Sequence, residues 1–467
     1  MARMRVSPVT ALIVGAITAI MDTTIVAVGL PALVESLHAG IGTIQWVTTG
    51  YLLALALSIP FVSWAQTRFG GKRLWLVALG IFVAASTLCA CSWNADALIA
   101  FRILQGLGGG VMLPLMATLA MQGIEPAKMA RTMASVSLPA AVGPIVAPVL
   151  GGIVLAWLDW RWLFLINVPI GVVGLLLAWL SLPDDRPGPA TTRPRVDIVG
   201  AVLLVPALAG LLYGLSNAHQ TGGFTRTDVL VPGVAGLALL AGFVGWAVRR
   251  GGAALVDIRL FRVRSVRASS IALIFLGAAL FSGTFLLPLY FQSLRGNSAL
   301  QAGLLLIPQG VGSLAARWAA GRLVERFGAR AVAIASFLVV IVATIPFAFA
   351  GTTTNLWLLG AVLFLRGLGL GTVFIPVMTV AYVDIPRADM PHASAIVRIA
   401  QQLGGAFGTA VIAVVLAAYL SHGNPTTAFN AAFGWSIGIS AVALVSALLL
   451  PARQAQPVAP TRPAEAS

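Results

Sequence analysis

Charge is what this 467-residue sequence has least of: Lys, Arg, Asp and Glu together make up 9% of it, where soluble domains carry about a quarter. With 59% of its residues apolar, the chain is no ordinary soluble domain, and the same figures exclude disorder and a collagen-like fibre. Cysteine is nearly absent. Cys89 and Cys91 stand two apart in one apolar run, point in nearly opposite directions on a helix, and so form neither a disulfide nor a metal pair. The four histidines, His38, His219, His392 and His422, fall in predicted loops, which leaves no buried imidazole pair for haem or zinc. No GxxxxGK[ST] loop occurs to bind ATP, and no buried Ser/His/Asp or Cys/His set is available for catalysis. Gly367, Gly369 and Gly371 alternate inside an apolar run, a packing pattern rather than a dinucleotide fingerprint. No enzyme activity, metal or cofactor is expected.

What the chain does have is long apolar runs. Hydropathy gives fourteen, at about 9–31, 46–66, 74–93, 97–121, 131–157, 162–182, 197–216, 228–248, 268–292, 300–320, 331–350, 355–382, 393–420 and 428–451. Each can cross roughly 30 Å of hydrocarbon as a helix. The first carries a proline at each end and an aspartate within, and reads as a retained span rather than a cleaved signal. The expected fold is an all-α membrane protein of fourteen spans with both termini on one side. Taking that side as cytoplasmic puts 22 of the 29 Lys and Arg in inner loops and tails and three (Arg161, Arg226, Arg295) outside; four more (Arg102, Arg317, Arg366, Arg398) lie in spans. Such a bias sets orientation, both ends inside. It also explains the formal charge of +15 without nucleic acid, and it suits the Arg249–Arg267 stretch to anionic lipid headgroups.

Two features recur in order, eight spans apart. SWAQTRFGGKR (Ser63–Arg73) is echoed by GRLVERFGAR (Gly321–Arg330), and FRILQGLGGG (Phe101–Gly110) by FLRGLGLGT (Phe364–Thr372). The repeat divides the chain into a six-helix half at 9–182, a linker with two inserted helices at 183–250, a second six-helix half at 251–451, and a disordered cytoplasmic tail at 452–467. Duplicated halves about a midplane site are a transporter design.

Asp22 is the only one of the fourteen acids deep within a span. Such a carboxylate is costly in hydrocarbon and marks a functional site by default. It shares a helix face with Gly15, Thr18 and Gly29, a small and polar stripe suited to the bundle interior. Counted from the ends of their spans at 1.5 Å per residue, Asp22 and Arg102 both sit about 20 Å above the cytoplasmic edge and could meet. The pair reads either as a proton switch that Arg102 tunes or as a static link between two helices. In the fifth span, VGPIVAPVLGG (Val142–Gly152), Gly143, Ala147 and Gly151 share a face that lets a neighbour approach closely. Pro144 and Pro148 bend that helix, and Gly152 closes the motif.

Several segments together resemble the fourteen-helix drug:proton antiporters of the major facilitator superfamily. They are MDTTIVAVGLP (Met21–Pro31), QWVTTGYLL (Gln45–Leu53), RILQG (Arg102–Gly106), the proline-bent Gly143–Gly152 motif and WRWLFLINVPIG (Trp160–Gly171), then DIRLFRVRSVR, LPLYFQ, IPQG and QQLGGAFG. The likeness runs in order over about residues 10–450. It implies a multidrug efflux protein of the inner membrane, a monomer, that exports lipophilic neutral or monocationic compounds in exchange for protons. Asp22 and Arg102 would couple the proton, and the fifth helix would seal the cavity against a leak. Tyr51, Phe285, Tyr290, Gln292, Gln309, Gln401 and Gln402 would wall the cavity between the halves. Arg68, Gly70 and Lys72 in the first cytoplasmic loop, and Gly321, Glu325, Arg326 and Gly328 in its second copy, would gate it. The sequence departs from the family at Ala27, where asparagine is usual, at Thr67, where an acid is usual, and at Ala147, where glycine is usual. Two other readings are a proton-coupled exporter of one endogenous metabolite or lipid and, from a different class, a membrane receptor or scaffold without transport.

Overall fold

The computed structural model describes residues 7–121, 142–143, 146–183, 197–217, 226–251, 254–382, 385, 390–421 and 423–451. In a bilayer every backbone N–H and C=O must be satisfied inside the segment, and helices do so. Among the described residues there are no strands, thirteen helices long and apolar enough to cross a membrane, and one shorter apolar helix. On the division expected from the repeat, the first half holds α1 (Pro8–Val28), α2 (Leu30–Ser36), α3 (Ile41–Ser58), α4 (Phe61–Phe69), α5 (Gly71–Ala90), α6 (Ala95–Met121), α7 (Val146–Trp157), α8 (Trp162–Leu165) and α9 (Asn167–Ser181). The inserted pair is α10 (Ile198–Asn217) and α11 (Thr227–Arg250). Then follow α12 (Arg264–Leu289), α13 (Ala299–Leu305), α14 (Ile307–Phe327), α15 (Ala329–Ala348), α16 (Leu356–Val380), α17 (Met390–Leu420) and α18 (Pro425–Ala447).

Several expected spans are interrupted. The first ends at Val28, and Pro31 opens the short α2, because proline suits a helix start and cannot donate within one. The tenth is broken at Leu306, just ahead of Pro308, and begins with a capping box: Gln301 N donates to Ser298 Oγ, and Ser298 N donates to Gln301 Oε1. His392, expected in a loop, lies in α17, whose first turn starts before the apolar run. His219, His422, the tail at 452–467 and most of the polar link before α10 lie outside the described residues.

The repeated loop motif has one backbone geometry. Gly70 (φ 85°, ψ 152°) separates α4 from α5, and Gly328 (φ 82°, ψ 154°) separates α14 from α15. The positive φ explains the glycine that follows Arg-Phe in both copies. The intramembrane glycine runs match as well. A Cβ on Gly106 or Gly108 of α6 would stand 2.5–2.7 Å from backbone carbonyls of α3 and α5, and one on Gly367 or Gly369 of α16 would stand 2.0–2.9 Å from those of α14 and α15. In each half a glycine-faced helix is thus pressed between two neighbours at backbone distance.

Apolar packing joins the two halves in more than one place. Let the distal end be where α1 stops and α3 begins. There one core takes Val28, Leu33 and Phe164 from the first half together with Phe285, Tyr290 and Phe429 from the second. Toward the opposite end the packing divides into separate cores, one of which joins α17 to the first half. One core holds Leu12, Trp75 and Phe82 with Leu208 and Phe243 of the inserted pair and Ile399 of α17. The other holds Leu273, Phe337 and Val377. α10 reaches α3 through Trp46 and Tyr213, whose rings are 6.4 Å apart, while α11 exposes Leu230, Val231, Val234 and Leu237. Asp197 pins the pair: its carboxylate accepts from Gly200 N, Trp246 Nε1 and Leu255 N at 2.8–2.9 Å.

Candidate functional site

Five helices of the first half send polar side chains to one point in the interior. Asp22 of α1 is fully buried, as are Thr18 and Gly15 on its face. Gly15 is what lets α9 in, its own Cα lying 3.0 Å from where a Cβ on Gly174 would be. Asp22 meets the partner the depth argument gave it. Arg102 Nη1 donates to Asp22 Oδ2 and, at 2.6 Å, to Gln105 Oε1, while its Nε donates to the Val47 carbonyl at 3.0 Å. The guanidinium lies 4.1 Å from the centre of the Tyr51 ring and 5.7 Å from that of Phe164, both within cation–π range.

The second carboxylate oxygen is held by amides. Gln105 Nε2 donates to Asp22 Oδ1 at 3.0 Å and to Ser86 Oγ at 2.6 Å, and Asn167 Nδ2 donates to the same Oδ1 at 2.9 Å. Ser86, Gln105 and Asn167 are all buried. Cys89 is buried against the network, its Sγ 3.7 Å from Gln105 Oε1, while Cys91 is exposed. Among the described residues, each hydrogen-bond partner of Asp22 donates to it, as a carboxylate, an acceptor only, requires. Gln105 and Asn167 lay inside the two quoted motifs RILQG and WRWLFLINVPIG, and an amide inside an apolar helix was the available signal for both.

The second half repeats the arginine without the acid. Arg366 of α16 is buried, donating to Gln309 Oε1 at 2.8 Å and to the Ala279 carbonyl at 3.0 Å. It lies flat against Gly283 of α12. Among the described residues no carboxylate faces it, and Asp22 is the only acid away from a helix end. Its contacts are those of a side chain knitting α12, α14 and α16 together.

The residues expected around the central cavity go to several places. Tyr51 belongs to the Asp22 network. Tyr290 is enclosed by Phe291, Phe347, Phe429 and Phe433, with ring centres 5.2–5.9 Å away, and its hydroxyl donates to the Gly351 carbonyl at 3.1 Å. Phe285 is buried in the distal core. Gln292 bridges the halves, its Nε2 donating to the Val28 carbonyl at 2.8 Å. Gln309 is taken by Arg366. Gln401 and Gln402 are half-buried on α17, and the buried Gln402 Oε1 has no hydrogen-bond partner among the described residues.

The α7 motif packs on two faces. Cβ atoms on Gly143 and Gly151 would lie 2.8 and 3.0 Å from side-chain carbons of Ile20 and Ile25, so the face of Gly143, Ala147 and Gly151 receives α1. Gly152 faces the other half, where a Cβ would stand 2.6 Å from Leu300 Cα; in return, one on Gly303 of α13 would stand 2.4 Å from the Pro148 carbonyl. The two halves therefore touch backbone to backbone at the distal end. Pro144 lies outside the described residues. Of the loop residues, Arg68, Gly321, Glu325 and Arg326 are exposed and Lys72 is half-buried.

The sequence pattern of the Major Facilitator Superfamily matches residues 12–409. The chain belongs to that superfamily. It is 34% identical over 412 residues to the multidrug resistance protein B homolog of Mycobacterium tuberculosis, covering 88% of this chain and 76% of that one. It is 31% identical over 404 residues to the putative multidrug resistance protein MdtD of Serratia proteamaculans, covering 86% and 83%. An auto-inhibited POT family peptide transporter shares the fold at a TM-score of 0.70 and 15% identity, over 98% of this chain and 99% of that one. The transporter is thus a multi-pass membrane protein and not an enzyme.

Proposed function

We propose that the transporter exports lipophilic neutral or monocationic compounds across the cytoplasmic membrane, outward in exchange for protons, with fourteen spans and both termini cytoplasmic. The observation that carries this reading is Asp22, a buried carboxylate met only by donors from Arg102, Gln105 and Asn167. A proton arriving on Asp22 turns one accepting oxygen into a donor that faces other donors. The network then rearranges, and that rearrangement couples protonation to the packing of α1 against α6 and α9. The names of the multidrug-resistance relatives support the cargo class, and the buried amide oxygen of Gln402, without a partner among the described residues, suits a polar group on such a compound. Among the described residues Arg366 has no acid opposite it, which favours the first half as the seat of the proton chemistry.

The test is Asp22→Asn in everted membrane vesicles. The amide keeps the size of the side chain and removes its titration. The expected result is a variant inserted at the level of the parent, with uptake of a lipophilic dye driven by a proton gradient down at least about tenfold. Gradient-driven uptake at the parent rate would overturn the mechanism. Competition among unrelated dyes separates multidrug export from export of one metabolite, which a single responding compound would indicate.

A further inference from the structure

Away from the Asp22 network, α14, α15 and α16 enclose a groove of about 500 Å³ in the part of the second half next to the α14–α15 turn. Leu323, Phe327, Ala331, Ala335, Val339 and Leu365 form much of its wall. Its two hydroxyls are already used: Ser336 Oγ donates to the Val332 carbonyl at 2.7 Å and Thr372 Oγ1 to that of Leu368 at 2.8 Å. The groove thus offers hydrocarbon and no open polar group. From Ala331 to Val339 along α15 it runs about 12 Å at 1.5 Å per residue, most of one leaflet of a bilayer whose hydrocarbon is roughly 30 Å thick.

The mouth has the opposite character. Arg322, Arg326 and Arg330 lie in the ten residues around the α14–α15 turn, against one acid, Glu325. The Arg326 guanidinium carbon lies 5.3 Å from the centre of the Phe327 ring, which itself lines the groove. Guanidinium pairs suit phosphate oxygens, and clustered arginines at the end of a span suit anionic lipid. We propose that this groove is a binding site for an anionic phospholipid, with one acyl chain lying between α14, α15 and α16 and the phosphate held by Arg326 and Arg330. The ligand sits on the second copy of the loop motif, so its headgroup fixes the α14–α15 turn.

The experiment is native mass spectrometry of the full-length protein in detergent, incubated with equal amounts of phosphatidylglycerol and phosphatidylcholine. The parent should retain phosphatidylglycerol in preference by at least about fivefold, and the Arg326→Gln/Arg330→Gln double variant should lose the preference. Ala335→Trp fills the groove and should lower retention by at least about fivefold; Ala331→Phe, at the exposed rim, tests the same point should the first variant misfold. Equal retention of the two lipids by the parent would overturn the proposal. So would unchanged retention in a folded groove-filling variant, which places the headgroup on the surface with no chain inserted. Slowed dye efflux with unchanged lipid retention in those variants would mark the groove as a cargo path, and would equally overturn it.

Discussion

Gln105 occupies the middle of the buried network and uses both ends of its amide, accepting from Arg102 while donating to Asp22 and Ser86. Gln105→Leu keeps most of the volume and leaves those three partners short of one bond each. A buried polar group left unsatisfied costs about 1–3 kcal/mol, so the purified variant should melt measurably lower than the parent. Proton-driven dye uptake should fall at least about tenfold, because Asp22 loses one of the two amides on Oδ1. At this scale the sequence was only partly legible. Asp22 and Arg102 stood out as charges in hydrocarbon, and depth counting brought them together. Asn167, Gln105 and Ser86 did not stand out, because neutral polar side chains are common along helix faces and only three-dimensional convergence gives these a shared acceptor. Tyr290 is a different case: the resemblance put it in the cavity wall, while of the rings that enclose it Phe347, Phe429 and Phe433 come from helices distant in sequence.

Among the elements, α7 meets the second half at backbone distance. A side chain at Gly152 would collide with the backbone of α13, which can yield only if the helices move apart. Gly152→Val should therefore open the distal seam, seen as faster hydrogen exchange in α13 and a loss of transport of about tenfold or more. Gly233→Val on α11 is the matched control, since a Cβ there meets nothing within 4 Å, and its transport should equal the parent's. The glycine and proline spacing of α7 was readable as a face for a close neighbour, and that neighbour is α1. The second face, through Gly152, was not, because one helix's sequence does not say which turn meets another half of the molecule. The paired turns at Gly70 and Gly328 were the most legible element: positive φ needs glycine, and both copies show it.

Across the whole molecule, the inserted pair hangs on a few contacts. Asp197 is one of them, tying α10, α11 and the segment entering α12 through three donors. Asp197→Ala leaves the Trp246 indole and two backbone N–H groups without that acceptor, at a cost of about 1–3 kcal/mol. Melting of the purified protein should report that loss. Dye uptake should stay within about twofold of the parent, since Asp197 is not part of the Asp22 network.

The solitary carboxylate of the spans also bears on electrical work. On the proposed cycle one titrating group carries one proton per turnover. Exchange of that proton for an uncharged compound moves a net charge through the membrane, and the resting voltage then contributes about 2.3 kcal/mol per 100 mV. A singly charged cation leaving as the proton enters moves none. On that proposed cycle, export of uncharged compounds through Asp22 would be electrogenic, and export of cations would be silent to voltage and driven by the pH difference alone.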